Sequence, residues 1–351
     1  MLSEPWKRRL LCFANTNTNI KRQSRAQTAF PKTVLGRKIY LSQTMSHNYP
    51  WAYKIKGEVR RDELLSEHTS NRIGGPADLF IIPKDIEDLR TIFKNKGSRP
   101  LLVLGEGTNL LVSDKGFRGI VVSLQNCFKE VKKPLFGKRS DGSEVAVIQA
   151  GAGVKVSYLA KYAARYSLSG IENLVGIPGS VGGALVMNAG AEGTEIGQVV
   201  RSVTRLNYKG ELEVLKKADM VFEYRKTTFP TGKGIIIETE LELKKDDITA
   251  IHAVMDRHMA QRNLKQPLTM PNSGSIFKNP PGDTAGRIIE SSGLKGFSIG
   301  DASVSIKHAN FIVNKGNATA VDFMRVMEHV RNTVKEKTGI VLEAEIVVVG
   351  D

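Results

Sequence analysis

From about residue 55 onward, apolar positions along this chain alternate between two periods. Leu101 to Leu104 is a continuous apolar run, and Gly119 to Leu124 and Val145 to Gln149 are two more of strand length. Between such runs the spacing turns helical. Leu89, Ile92 and Phe93 form one face of a helix predicted over 86–96, and Val156, Leu159, Ala160 and Ala163 form another over 155–166. Asp246 and Asp247 precede Ile248, Ile251, Val254, Met255 and Met259, which predicts a helix with acids at its positive end, running toward Arg262 and stopped by Pro267. A last helix carries Phe323, Val326, Met327, Val330 and Val334 and ends at Gly339. Ile340 to Val349 then reads as a closing strand, with charges at Glu343 and Glu345. The pattern predicts an α+β chain, and 351 residues allow two or three domains.

Glycine turns punctuate these elements. Gly105, Glu106 and Gly107 follow a strand as in a dinucleotide fingerprint, but Leu110 stands where the third glycine belongs and no helix follows, so a Rossmann reading fails. A strand, a glycine-rich turn and a second apolar run over Leu110 to Val112 instead predict a cradle that offers amides to a pyrophosphate, or simply a tight turn. Arg72 to Pro76, Gly151 to Gly153 and Gly176 to Gly193 add three more such turns. The last packs six glycines into eighteen residues, so its backbone amides are what it is expected to offer a ligand. Gly179 to Gly182 has Pro178 where a nucleophile elbow needs glycine, which argues against a hydrolase.

Composition narrows the class. No apolar run approaches the ~20 residues of a membrane span, which predicts a soluble protein. Cys12 and Cys127 lie far apart with no histidine cluster nearby, and no H-E-x-x-H occurs, so no metal is expected. The net charge of +15 raises the question of nucleic acid, but residues 1–50 hold nine basic residues against the single acid Glu4. The body is only mildly basic. That N-terminal stretch has the composition of an organellar transit peptide or a basic arm, unless Met45 is the true start.

Nine segments in order carry a family resemblance: His68 to Asp78, Leu104 to Val112, Gly176 to Gly193, Tyr224 with Arg225, Lys265 to Pro267, Gly274 to Pro280, Gly293 to Gly296, Lys307 to Asn314 and Leu342 to Glu345. Together they resemble the UDP-N-acetylenolpyruvoylglucosamine reductases over roughly residues 55–350. Two departures are Thr227, where the family has serine, and Gly300-Asp301, where a double glycine is usual.

The resemblance implies a two-part FAD-binding domain of the vanillyl-alcohol-oxidase/PCMH type plus a smaller α+β substrate domain. The implied divisions are a basic extension over 1–50, subdomains over 55–117 and over 118–265 with 339–351, and a substrate domain over 266–338. It implies FAD as cofactor, NADPH as co-substrate and UDP-N-acetylglucosamine enolpyruvate as substrate, in peptidoglycan precursor synthesis, and gives no place to nucleic acid or membrane. Cofactor contacts are implied for Arg72, Ile73, Gly74, Gly105, Glu106, Gly107, Thr108, Asn109, Leu110, Gly176, Pro178, Gly179, Ser180, Gly182, Gly183, Asn188, Gly190 and Ala191. Arg225, Ser275 and Glu345 match the catalytic positions, and Lys265, Asn279 and Tyr224 are expected at the substrate. The spacing resembles the compact form of the family, without an inserted lid. The oligomeric state stays open, with a monomer favoured, and the expected compartment is the cytoplasm, or an organelle interior if residues 1–45 direct import. Without the resemblance, Arg225 and Glu345 read first as a structural ion pair and Ser275 as an N-cap or turn serine. The competing activity is a flavin-dependent oxidase or dehydrogenase acting on an alcohol or sugar.

Overall fold

The computed structural model describes residues 49–230 and 234–350, so the expected transit or basic segment, the alternative start and Cys12 lie outside the described residues. The first unit runs through β1 (Glu58–Leu64), β2 (Pro76–Ile82), α1 (Ile86–Asn95), β3 (Leu101–Leu104), β4 (Leu110–Val112) and β5 (Phe117–Ser123). Four of these strands form a sheet ordered β1-β2-β5-β3, antiparallel at β1 and parallel elsewhere. Asp88 of α1 is buried, and its carboxylate accepts the amides of Lys56, Gly57 and Lys84, each at 2.8 Å. Satisfying three otherwise orphaned donors pins the helix to the sheet.

The second unit comprises β6 (Leu135–Lys138), β7 (Glu144–Gly151), α2 (Val156–Ala164), β8 (Leu168–Ser169), α3 (Val181–Val186), β9 (Gly190–Ala191), β10 (Thr194–Glu195), β11 (Val200–Asn207), β12 (Leu212–Lys216), β13 (Val221–Glu223), β14 (Lys226–Thr228), β15 (Gly234–Lys245) and α4 (Ile248–Lys265). Its main sheet is ordered β12-β11-β15-β7-β6, with β8 also on β15, while β9–β10 and β13–β14 are separate hairpins. One buried cluster unites Leu79, Ile81, Ile120 and Val122 of the first sheet with Ala146, Ile148, Leu241 and Leu243 of the second and Leu159 and Ala163 of α2. The Asp247 side chain caps α4 by accepting from the Ala250 amide, and Gln266 ends it in extended conformation before Pro267.

The third unit contains α5 (Ala285–Ser291), β16 (Ser298–Ile299), β17 (Ala302–Val304), β18 (Ile312–Asn314), α6 (Ala320–Thr338) and β19 (Val347–Val349). A capping box of Thr319 and Asp322 starts α6, and Gly339 at φ 75° ends it. Phe323, Val326, Val330 and Val334 are its buried stripe.

Two domain expectations are corrected. Strand β5 crosses the expected boundary at 117–118 and belongs to the first sheet. Only Val347–Val349 of the closing run is a strand, and it pairs in parallel with β4 rather than joining the second unit. The physical reason is apolar alternation: Leu342 and Ile346 are buried in the cluster of α5 and α6. Their partner surface lies in the third unit.

Candidate active site

Arg225 owes its position to a tight hairpin. In β13–β14, Glu223 pairs with Lys226, leaving a two-residue loop of Tyr224 and Arg225. Arg225 sits at φ 58°, a left-handed conformation that side-chain-bearing residues rarely adopt. Asn188 holds the loop there. Its Nδ2 donates to the Glu223 carbonyl at 3.0 Å and to Glu195 Oε2 at 2.6 Å, and its Oδ1 accepts from the Gly197 amide at 3.0 Å. Thr227 Oγ1 donates to the Leu185 carbonyl at 2.5 Å, so the hydroxyl common to threonine and serine anchors the second strand of the hairpin.

Glu345 and Ser275 are brought together by pairing between the closing segment and residues 276–278. The Glu345 amide donates to the Ile276 carbonyl at 2.8 Å, the Lys278 amide to the Glu343 carbonyl at 2.9 Å, and Phe277 bridges Ala344. Asn310 clamps the same segment. Its carbonyl accepts from the Ile276 amide, its Oδ1 accepts from the Phe277 amide at 2.9 Å, and its Nδ2 donates to the Phe277 carbonyl at 2.8 Å. Ser275 is half-buried beside this clamp. It caps no helix, because α5 begins at Ala285 with Thr284 as its cap.

Arg225 Nε lies 2.8 Å from Glu345 Oε1, an ion-pair contact whose N–H is not aligned as a hydrogen bond. Both side chains are largely shielded from water. Burial pushes the Glu345 carboxyl above the ordinary glutamate range, against the opposing pull of Arg225 and Lys278. Thus the acid is held closer to neutrality than an exposed glutamate, beside a permanent cation.

All three residues line one cavity of about 860 Å³, at the large end for a ligand site. Gly105 to Leu110, Gly176, Pro178, Gly179, Ser180, Gly182, Gly183, Gly190, Ala191 and Lys265 line it too. Apolar side chains of β3 (Leu102, Val103) and β15 (Ile235, Ile236), with Leu124 and Phe229, complete much of the wall.

The residues fit FAD. Among the described residues, no backbone hydrogen bond outside helices and ladders uses the amides of Glu106, Gly107 or Thr108, which leaves a row of donors for a pyrophosphate. The glycine run behaves differently from expectation. The Val181 and Gly182 amides donate to the Val154 and Ala152 carbonyls, and the Gly183 amide donates to Ser180 Oγ. Gly182, and Gly105 opposite the run, supply room more than donors: a Cβ on Gly182 would stand 3.0 Å from Ala152 Cβ, and one on Gly105 2.6 Å from Ser180 Oγ.

Several expected contacts lie off this wall. Ile73 and Asn188 are buried, and a Cβ on Gly74 would meet Val112 Cβ at 2.8 Å, so these three build the frame. Arg72 lines a smaller adjoining cleft with Thr108 and Pro178. Tyr224 and Asn279 touch each other, with the Asn279 amide 3.4 Å from the Tyr224 hydroxyl oxygen that accepts it, and neither lines the main cavity. The Asn279 Oδ1 is occupied by the Ala285 amide at 3.0 Å.

Other residues of the site were not anticipated. Arg262 Nε donates to Gln266 Oε1 at 3.0 Å and its terminal nitrogen to the Gly176 carbonyl, fastening α4 to the glycine run. Asn71 is fully buried and donates to the Leu110 carbonyl at 2.9 Å and Ser273 Oγ at 2.8 Å, joining the cofactor loop to the Ser275 segment. Asn109, an implied cofactor contact, also ties the loop to the closing segment, its Nδ2 donating to the Glu345 carbonyl at 3.2 Å. The asparagines of the His68–Asp78 and Lys307–Asn314 segments were the available signal.

Comparison with known proteins places the chain in a family. The family model described as UDP-N-acetylenolpyruvoylglucosamine reductase, C-terminal domain, matches residues 266–349, and one described as FAD binding domain matches residues 77–216. A reductase of that name from Symbiobacterium thermophilum is 44% identical over 84% of this chain and 93% of its own length. The Listeria innocua enzyme is 42% identical over 84% and 95%. The crystal structure of the Thermus caldophilus reductase superposes with a TM-score of 0.69 at 35% identity, covering 83% of this chain and 99% of that one. This chain belongs to the UDP-N-acetylenolpyruvoylglucosamine reductase family.

Proposed function

We propose that Arg225, Glu345 and Ser275 perform the charge and proton chemistry of enolpyruvyl reduction in this chain. As a member of its family the protein is an FAD-dependent oxidoreductase that converts UDP-N-acetylglucosamine enolpyruvate to UDP-N-acetylmuramate with NADPH, a step of peptidoglycan precursor synthesis. One observation carries the assignment of roles: three residues from distant segments line one cavity, two of them 2.8 Å apart.

When bound, FAD would supply the hydride chemistry, relaying a hydride from NADPH to the terminal vinyl carbon of the enolpyruvyl ether. The Gly105–Leu110 loop would hold its pyrophosphate, with Gly179 to Gly183 alongside. Once that carbon is reduced, the adjacent carbon becomes negative and shares its charge with the substrate carboxylate. Arg225 presents a permanent cation to the carboxylate, so its attraction grows as the charge develops. Glu345, pushed toward its neutral form by burial and paired with Arg225, sits near that carboxylate without full like-charge repulsion. Ser275 gives its hydroxyl proton to the negative carbon, completing addition of hydride and proton across the double bond, and regains a proton from water. Lys265, at the end of α4, supplies charge for the UDP diphosphate.

No helix among the described residues is long and apolar enough to cross a membrane. Our reading places the reaction in the cytoplasm, or in an organelle interior if residues 1–45 direct import.

An anaerobic visible spectrum of the purified chain tests the function. The flavin band should bleach with NADPH and return with UDP-N-acetylglucosamine enolpyruvate. Recovery only with oxygen would favour the oxidase reading, and a protein that cannot be reconstituted with FAD would sink both.

A further inference from the structure

Besides Arg225 Nε, two buried polar atoms in residues that line the cavity have no hydrogen-bond partner among the described residues. His258 is only 8% exposed, and its Nε2 is unpartnered; so is Oδ1 of Asn173. His258 shares one face of α4 with Gln261, Arg262 and Lys265, at helical spacings of three, four and seven, and all four line the cavity. Asn173 belongs to the 3-10 turn Glu172–Gly176, against which α4 packs.

The β9–β10 hairpin closes the group. Asn173 Nδ2 donates to Thr194 Oγ1 at 2.7 Å, and Glu192 Oε2 lies 3.3 Å from His258 Nε2 without hydrogen-bond alignment. Ala191 pairs with Thr194, so Glu192 and Gly193 form a two-residue turn with φ of 47° and 81°. Asparagine and glycine favour such a turn, and a glutamate there is strained.

The balance of donors and acceptors identifies the ligand chemistry. With one N–H of its NH₂ given to Thr194, Asn173 has its carbonyl oxygen left unpartnered, and the Glu192 carboxylate offers only acceptors. A phosphate, which also only accepts, is repelled by both. An apolar group would leave the orphaned atoms unsatisfied. A sugar hydroxyl donates to one oxygen while accepting from an imidazole.

We infer that Asn173, Glu192 and His258 form a subsite for sugar hydroxyls of a nucleotide-linked ligand. Seven residues of helix, roughly 10 Å, separate His258 from Lys265, so one extended ligand can reach both. The inference rests on the reductase reading and deepens it. The hexosamine of the enolpyruvyl substrate, the riboses of NADPH and the polyol of FAD all carry this chemistry.

Three binding readouts on His258→Leu, His258→Gln and Glu192→Gln separate these sources. They are flavin retained per chain, NADPH affinity, and the Kd of UDP-N-acetylglucosamine enolpyruvate from its perturbation of the flavin spectrum with no NADPH present. His258→Leu should weaken one ligand by about three- to tenfold, the worth of a hydrogen bond or two, with kcat within about twofold. His258→Gln should recover part of the loss, and the ligand affected names the source. Should His258→Leu fail to fold, Glu192→Gln, on an exposed turn, carries the same expectation. All three affinities unchanged, or a fall in kcat alone, would overturn the subsite while normal wild-type turnover left the reductase reading intact. A wild-type enzyme inactive toward the enolpyruvyl sugar would instead strike at that reading.

Discussion

Arg225 and Glu345 approach to 2.8 Å, although one lies on the loop of the β13–β14 hairpin and the other on the closing segment beside residues 276–278. Neither segment holds the pair alone. Asn188 fixes the first and Asn310 braces the segment 276–278 against which the second lies.

This arrangement makes Arg225→Lys a severe change. A lysine keeps the charge but loses the planar fork and the stacking over Tyr224, whose ring centroid is 4.8 Å from the guanidinium carbon. We expect kcat/KM for the enolpyruvyl substrate to fall roughly 10²-fold, with flavin reduction by NADPH nearly unaffected. Near-normal turnover, measured by stopped flow on each half-reaction, would speak against carboxylate binding by Arg225.

Glu345 gives stability a definite pH dependence. In the fold its carboxyl holds a proton more tightly than in the unfolded chain, because burial outweighs Arg225 and Lys278. Between the unfolded value and the raised native value the native state therefore binds more protons. This contribution is fully present below the unfolded value and is lost as pH rises through the native one. Urea titrations across this window should show wild-type stability falling relative to Glu345→Gln as pH rises. A constant difference between the two proteins would contradict the raised value.

The cofactor loop depends on glycine at one point above all. Gly107 has φ 62°, and a Cβ there would lie 2.0 Å from the His68 carbonyl oxygen, whereas Gly142, at φ 84°, has nothing within 4 Å. Gly107→Ala should cut the flavin retained on purification by tenfold or more. Gly142→Ala should retain flavin and lose only about 1 kcal/mol from the left-handed backbone. Equal flavin content in the two variants would remove the loop from the cofactor site.

Asn310→Ala should destabilise the protein by about 2–4 kcal/mol, since the Phe277 amide and carbonyl would be left buried without partners. Thermal unfolding measures it, and a loss below about 0.5 kcal/mol would show that water replaces the clamp.

The helices were legible because their signals are local. Asp247 ahead of Ile248, Pro267 after Lys265, and Gly339 after Val334 mark boundaries within a turn or two of where the structure places them. The site was legible in its chemistry but less so in its frame. Arg225, Ser275 and Glu345 line one cavity, yet Asn188, Ile73 and Gly74 turned out to support it, because periodicity and motif order cannot separate a wall residue from the one behind it. The closing segment was misplaced for a related reason: alternation of Leu342, Ala344 and Ile346 announces an extended chain, but not which strand it will lie against. His258 gave no signal, since a lone histidine on a helix face acquires meaning only from Glu192 and Asn173 across the fold.

The central claim is that Ser275 delivers the proton, and the most direct measurement follows the two half-reactions of Ser275→Ala under single-turnover conditions. The account predicts flavin reduction by NADPH close to wild type and reoxidation by UDP-N-acetylglucosamine enolpyruvate slowed by roughly 10² to 10⁴. Equal slowing of both half-reactions, or reoxidation at the wild-type rate, would contradict it.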